Sequence, residues 1–289
     1  MSGFSADWLS LREPADAAAR SPALTELLAG ALGRETELSV LDLASGTGSN
    51  LRYLAGRLQG QQRWLLVDRD PALLAHVRAA TASWALSRGY DVGAEEEVMW
   101  VHGRGLACRA STRCQDLSSL DDSGLFAGRT LVTASALLDL VSESWLRALA
   151  GRCREHGAAA LFALSYDGRI ACSPGEPEDE LVRTLVNRDQ RTDKGFGAAL
   201  GPDAARVAER CFVSLGYRVQ RAPSDWVLTP QAGELQRQVI GGWAEAAQAA
   251  APEQAPLIRG WHERRLAHLA RDTSRLVVGH EDLVALSGR

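Results

Sequence analysis

The sequence predicts an α/β protein built on a doubly wound, mainly parallel sheet. Three short apolar runs have the length of buried strands: 39–44, 64–68 and 130–134. A helical pattern at 71–88 separates the second run from the third, and Asp70 followed by Pro71 makes a good helix start. Strands that alternate with helices in this way form a parallel sheet with helices on both faces.

The rest of the chain continues the alternation. Residues 6–31 have helical spacing that is expected to break near Pro14 and Ser21. The segment 95–117 fits either a hairpin or one strand with an inserted turn. Further helices are predicted at 144–156, 202–215 and 234–270, and further strands at 158–166, 217–221, 226–228, 274–278 and 283–286.

Composition and charge narrow the class of protein. Hydrophobic residues make up 46% of the 289 residues and the formal net charge is −4. The chain lacks a basic stripe, so no nucleic-acid partner is expected. No run of about 18 apolar residues occurs and the N-terminus has no signal-peptide pattern. We therefore expect a cytoplasmic protein without a membrane partner.

The cysteines and histidines do not form metal-binding patterns. The five cysteines are odd in number and include no C-x-x-C pair, which favours reduced, buried thiols over a disulfide framework or a zinc site. The six histidines are scattered, and the arginine-rich segment 259–271 is expected to be a solvated helix face. We therefore predict no metal site.

A glycine turn follows the first predicted strand, where the sequence reads Val40-Leu41-Asp42-Leu43-Ala44-Ser45-Gly46-Thr47-Gly48. Gly46 and Gly48 have no Cβ, so the backbone can bend sharply and approach a ligand closely. The helix that begins near Asn50 points its amide groups at the same place. In doubly wound sheets, this position is the switch point where ligands bind.

The residues around the turn discriminate between ligands. A dinucleotide fingerprint needs a third glycine, and Leu51 stands at that position. Asp42 lies four residues before the glycines, where a pyrophosphate would be repelled, whereas a ligand with a cationic amine would be attracted. The pattern points away from nicotinamide and flavin dinucleotides.

These motifs resemble those of the class I, Rossmann-like S-adenosylmethionine-dependent methyltransferases. The first family motif matches residues 41–48, with Ala44 where many members have glycine. Asp68 stands where the family binds the ribose hydroxyls, and Asp116 where it contacts the adenine amino group. Ser135 stands at the end of the fourth predicted strand, which in this family lies beside the methyl donor. The resemblance covers residues 39–166 well and the remainder loosely.

The resemblance implies S-adenosylmethionine as cofactor and a seven-stranded sheet with one antiparallel strand, in a single domain, 1–289. Residues 1–35 would form a helical lid, 36–170 the cofactor-binding half and 171–289 an acceptor-side half, with a helical insertion before the last strand. The cofactor-binding residues that we predict are Asp42, Ala44, Ser45, Gly46, Gly48, Asn50, Asp68, Arg69, Asp116, Leu117, Ser135 and Arg20.

We expect methyl transfer by in-line displacement to a small-molecule acceptor. A general base is needed only if the acceptor atom is protonated, and Asp139 and Asp189 are the candidates. The polar loop at 187–197 is typical of a substrate lid, although an exposed insertion fits equally. The absence of an Asn/Asp-Pro-Pro-Tyr/Phe motif after the fourth strand argues against nucleobase or glutamine acceptors.

Several alternatives remain open from the sequence. Arg12 or Arg20 would bind the cofactor's carboxylate or an acidic substrate, or both arginines would simply pair with Glu13 or Asp16 on a solvated helix face. The helical segment 234–270 would close over the pocket or build a homodimer interface. The competing functions are an NAD(P)-dependent oxidoreductase on a related sheet and a non-catalytic S-adenosylmethionine-binding protein.

Overall fold

A computed structural model describes residues 4–33, 35–58 and 60–288 of the chain. Its helices are α1 (Ala6–Ala19), α2 (Pro22–Leu32), α3 (Ser49–Ala55), α4 (Pro71–Ser87), α5 (Glu143–His156), α6 (Asp179–Asp189), α7 (Ala204–Ser214), α8 (Gly233–Ala250) and α9 (Ala255–Ala270). No helix among the described residues is long and apolar enough to cross a membrane.

The strands form one sheet. They are β1 (Glu37–Leu43), β2 (Gln61–Asp68), β3 (Asp91–Glu95), β4 (Val98–Gly103), β5 (Leu106–Cys114), β6 (Leu131–Ser135), β7 (Ala159–Ser173), β8 (Tyr217–Pro223), β9 (Trp226–Leu228) and β10 (Arg275–Ser287). The order across the sheet is β3-β4-β5-β2-β1-β6-β7-β10-β8, with β9 paired to one end of β10.

The predicted doubly wound, mainly parallel sheet is confirmed. Seven strands from β5 to β8 form its centre, and β10 runs antiparallel to both of its neighbours. The chain moves outward from β1 to β2 and β5, then returns to β6 on the other side of β1. The strands β2 and β6 therefore lie on opposite sides of β1, and the chain connections to them run in opposite directions across the sheet. This reversal creates a crevice at the carboxyl end of β1. β3, β4 and β9 extend the sheet beyond this centre.

The helix caps follow the sequence signals. Ser5, Ser21, Asp70 and Ser142 each accept a hydrogen bond from a backbone amide in the first turn of the helix that follows. Such caps satisfy amide groups that have no partner within the helix. Both faces of the sheet are covered, because one buried cluster includes α5 and α7 and a second includes α2, α3 and α4.

Several boundaries differ from the expectations. The helix α1 continues through Pro14, so the opening helical segment is interrupted only between α1 and α2. The ambiguous segment 95–117 forms a hairpin, β4–β5. The helix α6 was not predicted and occupies part of the presumed loop. The last two predicted strands are one continuous strand, β10, because a register shift between Val278 and His280 interrupts the apolar pattern without ending the pairing.

The insertion α8–α9 makes a third buried cluster with α6 and the outer ends of β7 and β10. Of the arginines in the segment 259–271, Arg259 and Arg271 are exposed, as the sequence predicted, but Arg265 is not. Arg265 is fully buried, and it donates to both carboxylate oxygens of Asp179, at 2.7 and 2.5 Å. Arg264 pairs with Glu176 and Glu178. Among the described residues, none of α8 or α9 lines the cavity at the carboxyl ends of β1, β2 and β6. A dimer interface on these helices stays a prediction.

Candidate functional site

A cavity of about 370 Å³ lies at the carboxyl ends of β1, β2 and β6. This is the crevice at which the strand order reverses. Nine of the predicted cofactor-binding residues line it: Asp42, Ala44, Ser45, Gly46, Asn50, Asp68, Arg69, Leu117 and Ser135. The sequence motif and the topology therefore identify the same place, since parallel strands present their carboxyl ends at one edge.

The glycine turn after β1 has a left-handed backbone at three positions. The φ angles are +53° at Gly46, +82° at Gly48 and +51° at Ala44. Glycine adopts this region freely, whereas alanine is strained there. Gly48 caps α3 and lies behind the cavity wall. A Cβ on Gly46 would come within 2.9 Å of the Leu9 side chain, so α1 covers the turn closely.

Asp42 is fully buried at the base of the cavity. The side-chain amide of Asn50 donates to Asp42 Oδ1 at 2.7 Å and also to the Thr133 hydroxyl at 3.0 Å. Asp42 Oδ2 has no hydrogen-bond partner among the described residues. Burial raises the pKa of Asp42 to about 7, against the lowering effects of Asn50 and Arg20. The carboxyl group therefore favours a cationic or hydrogen-bond-donating ligand at Oδ2.

Arg20 lies on the other side of the same amide. Its Nη1 donates to Asn50 Oδ1 at 2.6 Å, while Nε and Nη2 have no partner among the described residues. The guanidinium is 3% exposed and stacks on the Tyr53 ring at 4.0 Å. Burial lowers the pKa of Arg20. It lines a second cavity of about 580 Å³ that shares Asp16, Ser49, Asn50 and Ser135 with the first.

Asp68 ends β2 and holds the glycine turn. Its two oxygens accept from the backbone amides of Gly46, at 2.8 Å, and of Asp70, at 2.9 Å. Asp68 therefore stabilises the glycine turn and the start of α4. Each carboxylate oxygen can accept a second hydrogen bond. Asp68 also lines the cavity, so the geometry allows this role together with the predicted ribose contact.

Asp116, which was predicted to contact the adenine amino group, lies outside the cavity lining. Asp116 is exposed, accepts from the backbone amide of Ser118 at 2.8 Å and does not line the cavity. Its neighbour Leu117 is buried and contributes an apolar wall. The adenine role of Asp116 stays a prediction.

The two candidate bases lie outside the cavity lining. Asp139 is buried in the 3₁₀ turn after β6, and its Oδ1 has no partner among the described residues. Burial raises the pKa of Asp139 to about 6, although the backbone amides of Asp139 and Tyr166 lower it. Asp189 ends α6 and forms an ion pair with Lys194 at 2.9 Å. Both catalytic roles stay predictions.

Residues 190–200 bring three side chains to the cavity that were absent from the predicted site. They are Gln190, Lys194 and Phe196. The Phe196 ring meets the edge of Trp145 with a centroid separation of 5.6 Å. Residue spacing does not distinguish Lys194 as a site residue. The signal in the sequence that could have done so is that Lys194 is the only lysine.

Arg12 also lines the cavity, from α1. It donates from Nε and Nη2 to the two oxygens of Asp16, at 2.9 and 3.1 Å, and stacks on Trp226 at 4.8 Å. The ion pair within the helix, which was the simpler of the two alternatives, is therefore present for Arg12. Glu13 pairs instead with Arg52 of α3.

Comparison with known proteins gives only distant likenesses. No family model matches the chain, and no curated protein matches it. The cyclopropane synthase MmaA2 from Mycobacterium tuberculosis is 11% identical, with a TM-score of 0.47 and coverage of 98% of this chain and 94% of that one. An S-adenosylmethionine-dependent methyltransferase from Geobacter sulfurreducens is 15% identical, with a TM-score of 0.46 and full coverage of both chains. At these identities and TM-scores, no functional conclusion follows from either structure.

Proposed function

We propose that this protein is an S-adenosylmethionine-dependent methyltransferase that acts on a small-molecule acceptor. The observation that carries the proposal is the arrangement around Asn50. A buried carboxylate oxygen of Asp42 and buried guanidinium nitrogens of Arg20 lack partners, and the two side chains are bonded to opposite atoms of one amide. An α-amino acid group has the complementary charges, an ammonium for Asp42 and a carboxylate for Arg20.

The remaining lining fits the other parts of the same cofactor. Asp68 stands at the end of the adjacent strand and can accept from vicinal ribose hydroxyls. Leu73 and Leu117 provide apolar surface for a base. Asp42 and Asp68 line the cavity beside the glycine turn, where a dinucleotide would place its pyrophosphate, and their carboxylates disfavour that group. Both the charge of the lining and the missing third glycine therefore disfavour a dinucleotide as the ligand.

S-adenosylmethionine, when bound, supplies a methyl group that is activated by a sulfonium. The chain's own residues would hold the two reactants in line and exclude water, which are the main requirements for this displacement. Leu9 of α1 and Phe196 of the loop lie over the cavity and provide apolar cover. If the acceptor atom carries a proton, Asp139 and Asp189 remain the candidate bases, and the pKa of Asp139, raised by burial to about 6, suits proton transfer near neutral pH.

Calorimetry with three ligands tests the proposal. S-adenosylhomocysteine should bind more tightly than NAD⁺, and 5′-methylthioadenosine, which lacks the amino acid group, should bind more weakly than S-adenosylhomocysteine. Replacing Arg20 by Met should lower the affinity for S-adenosylhomocysteine and leave that for 5′-methylthioadenosine unchanged. Tighter binding of NAD⁺ would contradict the proposal. Tight S-adenosylhomocysteine binding with no methyl transfer across a broad acceptor panel would support the non-catalytic alternative.

A further inference from the structure

Lys194 is the only lysine among the 32 basic residues of the sequence. Everywhere else the chain uses arginine, whose planar guanidinium suits ion pairs and stacking. Lysine differs because it presents a compact ammonium with three donors on a flexible stem. The sole lysine lines the main cavity, with only 17% of its side chain exposed. Its position indicates a need for an ammonium group at this point of the wall.

The ammonium group has unused capacity for hydrogen bonds. Nζ donates to Asp189 Oδ2 at 2.9 Å, and it has no other partner among the described residues. Two N–H groups therefore remain for a ligand. Asp189 keeps the lysine in position and is itself 30% exposed in its side chain, so the pair is not sealed from the cavity.

The loop that carries Lys194 is held in place by several contacts. Asp193 Oδ1 accepts from the backbone amides of Gly195 and Gly197, at 2.7 and 3.0 Å. Phe196 packs against Trp145 of α5, and the Leu200 amide donates to the Val141 carbonyl at 2.8 Å. The ammonium is thereby fixed on the side of the cavity formed by the end of β6 and the residues after it.

Three of the four aspartates that line the cavity are engaged with other groups of the protein. Asp68 and Asp70 accept hydrogen bonds from backbone amides of the turn and of α4, and Asp16 is paired with Arg12. Asp42 faces Asn50 and belongs to the proposed amino acid subsite. The lining also includes the neutral residues Gln190, Phe196, Leu137 and Leu140, and a second cation, Arg69, whose Nη1 lies 3.4 Å from the position of a Cβ on Gly195. A ligand on this side therefore meets the ammonium of Lys194 and the guanidinium of Arg69 beside an aromatic ring and aliphatic surface.

We propose that Lys194 binds an anionic group, a carboxylate or a phosphate, on an aromatic or otherwise apolar methyl acceptor whose apolar part packs against Phe196. The inference deepens the proposed methyl transfer and rests on it, because it assigns the acceptor class to the same cavity. Lys194 would position the acceptor through a charge-assisted hydrogen bond.

Ligand pairs that differ in charge but little in shape test this proposal. Protein saturated with S-adenosylhomocysteine is titrated with benzoate, phenyl phosphate and the neutral benzamide. At least one of the anions should bind tenfold or more tightly than benzamide, and the preferred anion distinguishes a carboxylate from a phosphate. Lys194→Met should reduce the preference to less than twofold. Arg113→Met, which removes a charge from an exposed arginine outside the cavity, should preserve it.

A second measurement does not depend on turnover. Reductive dimethylation should modify only two kinds of amine, the N-terminus and Lys194, so mass spectrometry reports each separately. The preferred anion should slow modification of Lys194 at least fivefold and leave the N-terminus unaffected.

The outcomes separate this inference from the proposed function. Equal binding of both anions and benzamide, or an anion preference that survives in Lys194→Met, would overturn the role of Lys194 even if S-adenosylhomocysteine binds. Failure of S-adenosylhomocysteine to bind, with an anion preference that depends on Lys194, would remove the methyltransferase assignment and leave Lys194 as an anion site.

Discussion

Asn50 donates to Asp42 at 2.7 Å and leaves the second oxygen of that fully buried carboxyl group without a partner among the described residues. An unpaired carboxylate in this position is unfavourable, and burial raises the pKa of Asp42 to about 7. The ligand-free protein therefore holds a proton at Asp42 over a range in which the unfolded chain does not.

Stability of the ligand-free protein should consequently fall as pH rises. The proton on Asp42 contributes its full stability below pH 3.8, and this contribution is lost as pH rises toward about 7. Between pH 5 and pH 8, the loss is about 3 kcal/mol, from two pH units at about 1.4 kcal/mol each. Buried Asp139 and His280, whose pKa values are also shifted by burial, titrate in both proteins, so the difference between the two proteins isolates Asp42. Urea unfolding at both pH values should show that the native sequence loses about 3 kcal/mol more than Asp42→Asn between pH 5 and pH 8. Parallel pH profiles for the two proteins would contradict the prediction.

Replacement of Asp68 tests the ribose contact. Asp68→Ala should weaken S-adenosylhomocysteine binding by about 1–3 kcal/mol, the scale for a lost hydrogen bond to a charged group. The matched change is Asp116→Ala, at an exposed carboxylate outside the cavity, which should alter the affinity by less than about 0.5 kcal/mol. Calorimetry measures both. A large effect at Asp116 would restore the adenine contact expected from the sequence, and an unchanged affinity at Asp68 would place the ribose elsewhere.

The left-handed backbone at Ala44 predicts a stabilising substitution. Ala44→Gly removes a strain of about 1–2 kcal/mol but adds about 0.4–1 kcal/mol of unfolded-chain entropy, so a net gain of about 0.5–1 kcal/mol is expected. The control Ala75→Gly, on an exposed helical position of α4, should destabilise by about 1 kcal/mol. Denaturant unfolding distinguishes the two signs. Destabilisation by Ala44→Gly would show that the alanine methyl group packs usefully.

The ion pair between the buried Arg265 and the partly exposed Asp179 should stabilise the protein far more than the pairs of the more exposed Arg264. Arg265→Met leaves Asp179 without its charged partner, although Trp261 Nε1 still donates to it at 2.7 Å, and should cost about 3 kcal/mol of unfolding free energy. Arg264→Met, at a side chain that is 43% exposed, should cost less than about 1 kcal/mol. Similar losses of unfolding free energy from both variants would mean that the ion pairs of Arg264 and Arg265 act as one unit.

Local patterns were sufficient for the core of the fold and for the turn. The strand-length apolar runs, the caps at Asp70 and Ser142, and the glycines at 46 and 48 each depend on residues close in sequence, so their consequences can be read from the chain. Asp42 was selected from its place before the glycine turn, and Asp68 and Ser135 from the family resemblance. They line one cavity because strand ends in a parallel sheet converge at one edge.

What the tertiary structure decided depends on residues far apart in the chain. Arg20 meets Asn50 across 30 positions, and Arg265 meets Asp179 across 86, so neither burial nor pairing can be read from local spacing. Asp116 matched a motif but points to a local amide outside the cavity. Lys194 reaches the cavity only because its loop is tied to α5 and to the end of the turn after β6. The sequence alone determined the sheet and the glycine turn, and long-range packing selected which charges face a ligand.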